Sequence, residues 1–216
     1  MNNADARETM IDTQVRPNDV TDRRIHAALQ DIPREPFLPK SRHALAYAEF
    51  EHETAPGRWM WRSRDFAKLL QAADITAEDE VLDIAPGTGY SSAILSKLAA
   101  AVIGLETDQE LAEAASARLD ELDIDNADVV SGDLSAGLAG EGPYDVIFVN
   151  GSVDAPAQAW FEQLKDGGRL AVVVRTGKAS HACIYTKADN VISCRKVFDS
   201  APPRLPGFEA APSFSF

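Results

Sequence analysis

Between residues 80 and 174 short apolar runs alternate with stretches of helical period, and this alternation constrains the fold more than any other feature of the chain. V-L-D-I (81–84) reads as a strand, and 90–99 follows as a helix with Ile94, Leu95 and Leu98 on one face. A-A-V-I-G-L (100–105) is a second strand, and 109–122 a second helix carrying Leu111, Ala115, Leu119 and Leu122. Further strands are expected at 128–131, 144–150 and 170–174, with a helix over 155–164 and Gly167-Gly168 as the turn before the fifth strand. Residues 182–186 and 193–198 read as a late antiparallel pair. Strands alternating with helices of about ten residues build an open, mostly parallel sheet with helices on both faces. The expectation is therefore an α/β, Rossmann-like architecture.

Such sheets bind ligands at the carboxyl ends of their strands, where the strand order reverses. The loop after the first strand reads D-I-A-P-G-T-G-Y-S-S from Asp83 to Ser92, and Gly87 and Gly89 permit close backbone approach. Candidate cofactor contacts here are Asp83, Ala85, Pro86, Gly87, Thr88, Gly89, Tyr90 and Ser91. The dinucleotide spacing G-x-G-x-x-G fails, because Ser92 stands where the last glycine belongs, and no Lys-Ser/Thr pair makes a phosphate-cradling loop. No Lys or Arg occurs between Lys68 and Lys97, so a diphosphate would meet no cation. Glu106, followed by Thr107, ends the second strand 17 residues beyond Gly89, where a carboxylate can accept from both ribose hydroxyls. Asp133 and Leu134 follow the third strand and suit the amino edge of an adenine, and Asn150 ends the fourth. A ribose and an adenine without phosphates describe S-adenosyl-L-methionine, whose product is S-adenosyl-L-homocysteine. The competing reading makes the three carboxylates helix caps or solvated strand ends.

Charge supports the cofactor. The 216 residues carry a net −13, yet residues 1–68 are neutral, whereas residues 74–145 hold 17 acidic side chains against Lys97 and Arg118. That excess favours a sulfonium cation and argues against nucleic acid, whose binding rests on Lys and Arg. No run approaches the ~20 apolar residues of a membrane span. The first residues carry no apolar export signal, so a cytoplasmic compartment is expected, with Cys183 and Cys194 as reduced thiols. The four histidines have no ligand spacing, and no metal is expected. A monomer is the starting expectation.

The amino-terminal part is organised differently. A helix is expected over 19–31, capped by Asp19 or Thr21 and ended by Pro33 and Pro36, with Phe37-Leu38-Pro39 as an apolar anchor. Residues 41–64 lack a clean period but hold Tyr47, Phe50, Trp59, Met60 and Trp61, with a turn at Pro56-Gly57; helical spacing returns over 66–73. We divide the chain into an acceptor-side segment, 1–68, packed on a cofactor-binding domain, 69–216, with the Pro-rich tail from Ala201 draped over it.

Several stretches resemble the protein-L-isoaspartate O-methyltransferases: T-Q-V-R-P-N-D-V-T-D-R-R-I, I-P-R-E-P-F-L-P, Ala46-Tyr47, V-L-D-I-A-P-G-T-G-Y, Glu106, Gly132-Asp133, P-Y-D-V-I-F-V and L-K-D-G-G-R-L. The resemblance implies a class I methyltransferase fold with a seven-stranded sheet and an amino-terminal helical cap. It implies methyl transfer from S-adenosylmethionine to isoaspartyl carboxylates of damaged proteins, which is protein repair. The chain departs from the family at the cofactor loop and on the acceptor side. Asp83, Ala85, Gly87 and Gly89 stand at the Glu-x-Gly-x-Gly-x-Gly positions, a mild loss of flexibility at Ala85. Arg58-Trp59-Met60-Trp61 stands where the family has Gln-Thr-Ile-Ser, so neither acceptor-side hydroxyl is present, and Ser63 could substitute only if the path slips. Asn150-Gly151-Ser152 replaces the family's Thr-Ala-Ala. Arg58, Trp59, Met60, Trp61 and Ser63 are the acceptor-pocket candidates, the indoles filling space and Arg58, Arg62 and Arg64 attracting an acidic acceptor or forming a solvated face. The alternative is a relative that binds S-adenosylmethionine but methylates another acceptor or acts as a regulatory binding protein.

Overall fold

Asn2 caps the first helix, α1 (Asn3–Met10), by accepting from the Asp5 amide while the Asp5 carboxylate accepts from the Asn2 amide. This computed structural model describes residues 2–209. A π-helical turn continues α1 to Val15. The expected second helix forms as α2 (Arg23–Asp31), shorter than the sequence suggests because Asp22, not Asp19 or Thr21, supplies the cap. Pro33 and Pro36 stop it as expected. The aperiodic stretch contains a 3-10 helix over Lys40–Leu45 and a hairpin, β1 (His52–Ala55) and β2 (Arg58–Met60), turning at Pro56-Gly57. Next comes α3 (Ser63–Ala73), so the boundary drawn at residue 68 falls inside one helix.

The alternation then produces β3 (Glu80–Ile84), α4 (Tyr90–Ser96), β4 (Ala101–Glu106), α5 (Gln109–Asp120), β5 (Ala127–Ser131), β6 (Tyr144–Val153), α6 (Gln158–Glu162), β7 (Leu164–Thr176), β8 (Ala179–Ala188) and β9 (Val191–Asp199). The seven strands from β3 onward form one sheet in the order β5-β4-β3-β6-β7-β8-β9. The first five are parallel; β8 and β9 add an antiparallel meander at one edge. Gly167 and Gly168 lie within β7 rather than before it.

Parallel strands are buried on both faces, so their residues read as continuous apolar runs rather than alternating ones. Val81, Val146, Phe148 and Val173 join the core that also holds Phe37, Trp61, Phe66 and the buried sides of α1 to α5. Leu82, Ile84, Ile147, Val149 and Val172 face the other way, onto Trp160, Tyr144 and Leu205. The amino-terminal helices and the first half of the sheet therefore share one core. The described part of the tail docks by a parallel bridge between Ser152 and Arg204 and by the ring of Phe208 against Trp160; residues 210–212 of that stretch lie outside the described residues. The reversal of strand order lies between β3 and β6, and it places the loops after β3, β4, β5 and β6 at one end of the sheet.

Candidate cofactor and acceptor site

The loop after β3 is held from beneath. Asp83, fully buried, accepts from the hydroxyls of Ser91 and Ser92, each at 2.7 Å, and from Nδ2 of Asn150 at 2.5 Å. Burial pushes its carboxyl up to about 7, against the pull of those three donors. Asp83 thus ties the start of α4 to Asn150, which lies inside β6 because the strand runs on to Val153 rather than ending at residue 150, and it positions the loop rather than presenting a carboxylate at its surface. Ala85 adopts φ +59°, a left-handed conformation that glycine adopts without strain. Gly89 brings α4 against α5: a Cβ there would lie 3.3 Å from that of Ala115.

Glu106 is fully buried at the end of β4 and accepts from the Gly87 amide at 3.1 Å and from its neighbour Thr107. Its main partner has no signal in the sequence. The Arg58 guanidinium lies across both carboxylate oxygens, with Nε at 2.9 and 2.8 Å and Nη2 at 2.5 Å, and Nη2 also donates to the Thr107 hydroxyl at 2.7 Å. A Cβ on Gly87 would come within 3.1 Å of the Arg58 Cβ, so the glycine is what lets this side chain lie on the loop. The sequence puts Arg58 among the acceptor-pocket candidates; in the structure its charged end lies on Glu106, the carboxylate expected from the sequence to meet a ribose.

Asp133 lies at the surface after β5, its carboxyl held below the usual range by the Ser135 hydroxyl and amide. Leu134 faces the core, and its carbonyl accepts from the indole of Trp160 at 2.7 Å. Only its main chain is left to meet a ligand. Thr88 donates to the Phe37 carbonyl and so ties the loop to the amino-terminal segment. Tyr90 packs edge-on to Phe37 and under the guanidinium of Arg34.

The space beside the acceptor-pocket candidates is small. Trp59, Met60 and Trp61 line, with Thr54, Pro86 and Asn150, a cavity of about 10 Å³, room for roughly one water. Ser63 does not reach it: its hydroxyl accepts from Arg34 and donates to the Met10 sulfur, each at 2.8 Å, inside the amino-terminal core. The basic cluster is also neutralised internally, since Arg62 pairs with Glu51 and Asp65, and Arg64 with Asp65 and Glu49. An open groove of about 840 Å³ lies outside the hairpin, along Pro56, Arg58, Glu106, Thr107, Leu111 and Pro206.

Sequence reasoning misses Arg34 and His52. Arg34 is completely buried, donates to the Trp61 carbonyl at 2.9 Å, and makes no ion pair among the described residues. His52 is buried with neither ring nitrogen hydrogen-bonded among the described residues, and burial, with Arg34 and Arg42 nearby, pushes it down to about 4. The P-R-E motif carries Arg34 but gives no sign that it ends beneath the hairpin.

The donor set fits S-adenosylmethionine: a left-handed glycine loop, a carboxylate at the next strand end already aimed by a loop amide, and an aspartate after the third. The cation-free loop expected from the sequence is not found, because distant residues fold onto it: Arg58 lies against Gly87, and Arg118 donates to the Thr88 carbonyl at 2.8 Å. Among the described residues no cluster of three or more His, Cys, Asp or Glu could hold a metal ion, and no helix is long and apolar enough to cross a membrane. A family model described as protein-L-isoaspartate(D-aspartate) O-methyltransferase matches residues 5–200. A protein-L-isoaspartate O-methyltransferase of Koribacter versatilis is 40% identical over 168 residues, covering 78% of this chain and 76% of that one. One of Methanoculleus marisnigri is 33% identical over the same shares. A solved structure named protein-L-isoaspartate O-methyltransferase superimposes with a TM-score of 0.80 at 27% identity, covering 93% of this chain and 66% of that one. A Plasmodium falciparum protein in complex with S-adenosyl-L-homocysteine shares the fold, with a TM-score of 0.78 at 17% identity over 95% of this chain and 98% of that one.

Proposed function

Since the chain belongs to the protein-L-isoaspartate (D-aspartate) O-methyltransferase family, we propose that it methylates isoaspartyl carboxylates in damaged proteins as a repair enzyme of the cytoplasm. The observation that carries this reading is Glu106, a buried carboxylate at the end of β4 that the Gly87 amide aims toward the glycine loop. S-adenosylmethionine supplies a methyl group on a sulfonium. This chain's residues do the rest: Glu106 accepts the ribose hydroxyls, Asp133 accepts from the adenine amino group, and Pro86 to Ser91 supply the backbone surface against the cofactor. Asp83 and Asn150 position the loop through their mutual hydrogen bond. No general base is required, because a carboxylate acceptor, which ordinarily titrates near ~3.9, is already ionised at neutral pH. Catalysis then rests on alignment and on excluding water, which the indoles of Trp59 and Trp61 and the ring of Tyr90 serve.

The small cavity beside the acceptor-pocket candidates favours a second reading, a relative that methylates a different acceptor or only binds the cofactor. Labelled S-adenosylmethionine offered with an isoaspartyl peptide, beside its normal aspartyl twin, separates the two. Label on the isoaspartyl peptide alone is expected. Transfer to neither, with S-adenosylhomocysteine still bound, would favour the second reading.

A further inference from the structure

Glu106 serves two partners that cannot be present together. Its oxygens are the acceptors for the ribose hydroxyls, yet in this structure the Arg58 guanidinium takes both of them and the Thr107 hydroxyl as well. The carboxylate is fully buried beneath it, and the Arg58 side chain is 7% exposed. We propose that Arg58 is an internal competitor for the cofactor: it latches the β1–β2 hairpin over the ribose position, and the hairpin lifts for S-adenosylmethionine to enter.

The hairpin is a distinct element rooted at its open end. It is a two-stranded sheet separate from the main one, with three residues in β2 and a register shift between Glu53 and Ala55. His52 and Met60, both buried, anchor the open end in the core. The turn end is held on the cofactor side by the buried Arg58–Glu106 pair, by Thr54 against Gly87 and by Pro206 of the tail against Gly57. A buried ion pair gains Coulomb energy but loses the hydration of both ions, and the two nearly cancel. Lifting the hairpin returns that hydration to Arg58, while ribose hydroxyls replace its donors on Glu106. The Gly87 amide keeps the carboxylate aimed throughout. The open and closed states therefore lie close enough in energy for a ligand to shift them.

The same motion serves both halves of the site. Arg58 lines the outer groove with Glu106 and Thr107, whereas its neighbours Thr54 and Trp59 line the inner cavity of about 10 Å³. Lifting one short hairpin thus frees the ribose carboxylate and withdraws an indole from the acceptor side.

The latch presupposes that Glu106 binds the cofactor's ribose, and binding measurements separate the failure of one from the failure of the other. Titrate the full-length wild type, Arg58→Gln and Arg58→Ala with S-adenosylhomocysteine by calorimetry, checking the fold of each by circular dichroism. Because a closed population taxes apparent affinity, both variants are expected to bind about tenfold tighter or more. Arg58→Gln keeps the stem and removes the charge, so it carries the test if the alanine variant fails to fold. In stopped flow, followed by tryptophan fluorescence, the wild-type association rate should level off with rising ligand, and the variants' should not. Equal or weaker binding by the folded variants overturns the latch and leaves the cofactor site standing. No binding by any of the three folded proteins overturns both.

Discussion

The Ala85 amide donates to the Leu105 carbonyl at 2.9 Å, and that bond holds an alanine at φ +59° in the loop between β3 and α4. A left-handed L-residue costs roughly 1–2 kcal/mol, and Ala85 is also buried. Relief of strain in Ala85→Gly opposes the lost methyl and the added unfolded-chain freedom. The glycine variant should keep or gain stability, by up to about 1 kcal/mol. Ala85→Val, β-branched at the same φ, should lose about 2 kcal/mol or more. Urea midpoints decide, and a glycine variant clearly less stable than the valine one would refute the strain.

His52 gives a pH signature. Its folded value near 4 lies below the ordinary 6.5, so between those values the unfolded chain takes up a proton that the folded chain refuses. Its contribution is therefore present above about pH 6.5 and lost as pH falls toward 4. Asp83 has the opposite slope: raised from 3.8 to about 7, it contributes stability at low pH that is lost as pH rises through that window. In His52→Gln the first slope disappears. The stability gap to wild type should move in the variant's favour as pH drops from 6.5 to 4.5, by at most about 1.4 kcal/mol per unit. A gap independent of pH would mean that His52 titrates normally.

Trp160 anchors the loop of Asp133. Its fully buried indole donates to the Leu134 carbonyl at 2.7 Å and stacks on Phe208. Trp160→Phe removes the shorter of that carbonyl's two hydrogen bonds, the other coming from the Gly137 amide at 3.3 Å, and should cost about 0.5–1.5 kcal/mol in thermal or urea unfolding. Hydrogen exchange should quicken at residues 133–138 and not in α1. A uniform change would argue against a local anchor.

Trp61→Ser tests the acceptor side. The indole is buried beside the cavity, and its loss should cost about 3–5 kcal/mol. It also opens space near Asn150 and Pro86. Transfer to an isoaspartyl peptide, measured well below the variant's melting point, is expected to rise. Unchanged transfer would show that the indole does not limit the acceptor.

The parallel sheet is legible in the sequence because each strand is a short, doubly buried apolar run, as in V-L-D-I, set off by a turn and a helix of different period. Glu106 and Asp133 are legible for the same reason: strand ends follow from the apolar pattern, with Glu106 closing β4 and Asp133 just beyond β5. The partner of Glu106 is not. Arg58 lies 48 residues upstream, and only the packing of the hairpin on Gly87 brings it there. Ser63 misleads for a similar reason, since its distance from Trp61 in sequence says nothing of α3 turning it toward Arg34. The first helix is missed by the sequence reading, although Asn2 and Asp5 stand at the Asn-x-x-Asp spacing that caps it.

The fate of the transferred methyl tests the central claim most directly. After incubation with methyl-labelled S-adenosylmethionine and an isoaspartyl peptide, mild alkali should release the label as methanol, and the aspartyl twin should carry none. Label that resists alkali, or none on either peptide while S-adenosylhomocysteine binds, would contradict isoaspartyl carboxyl methylation by this chain.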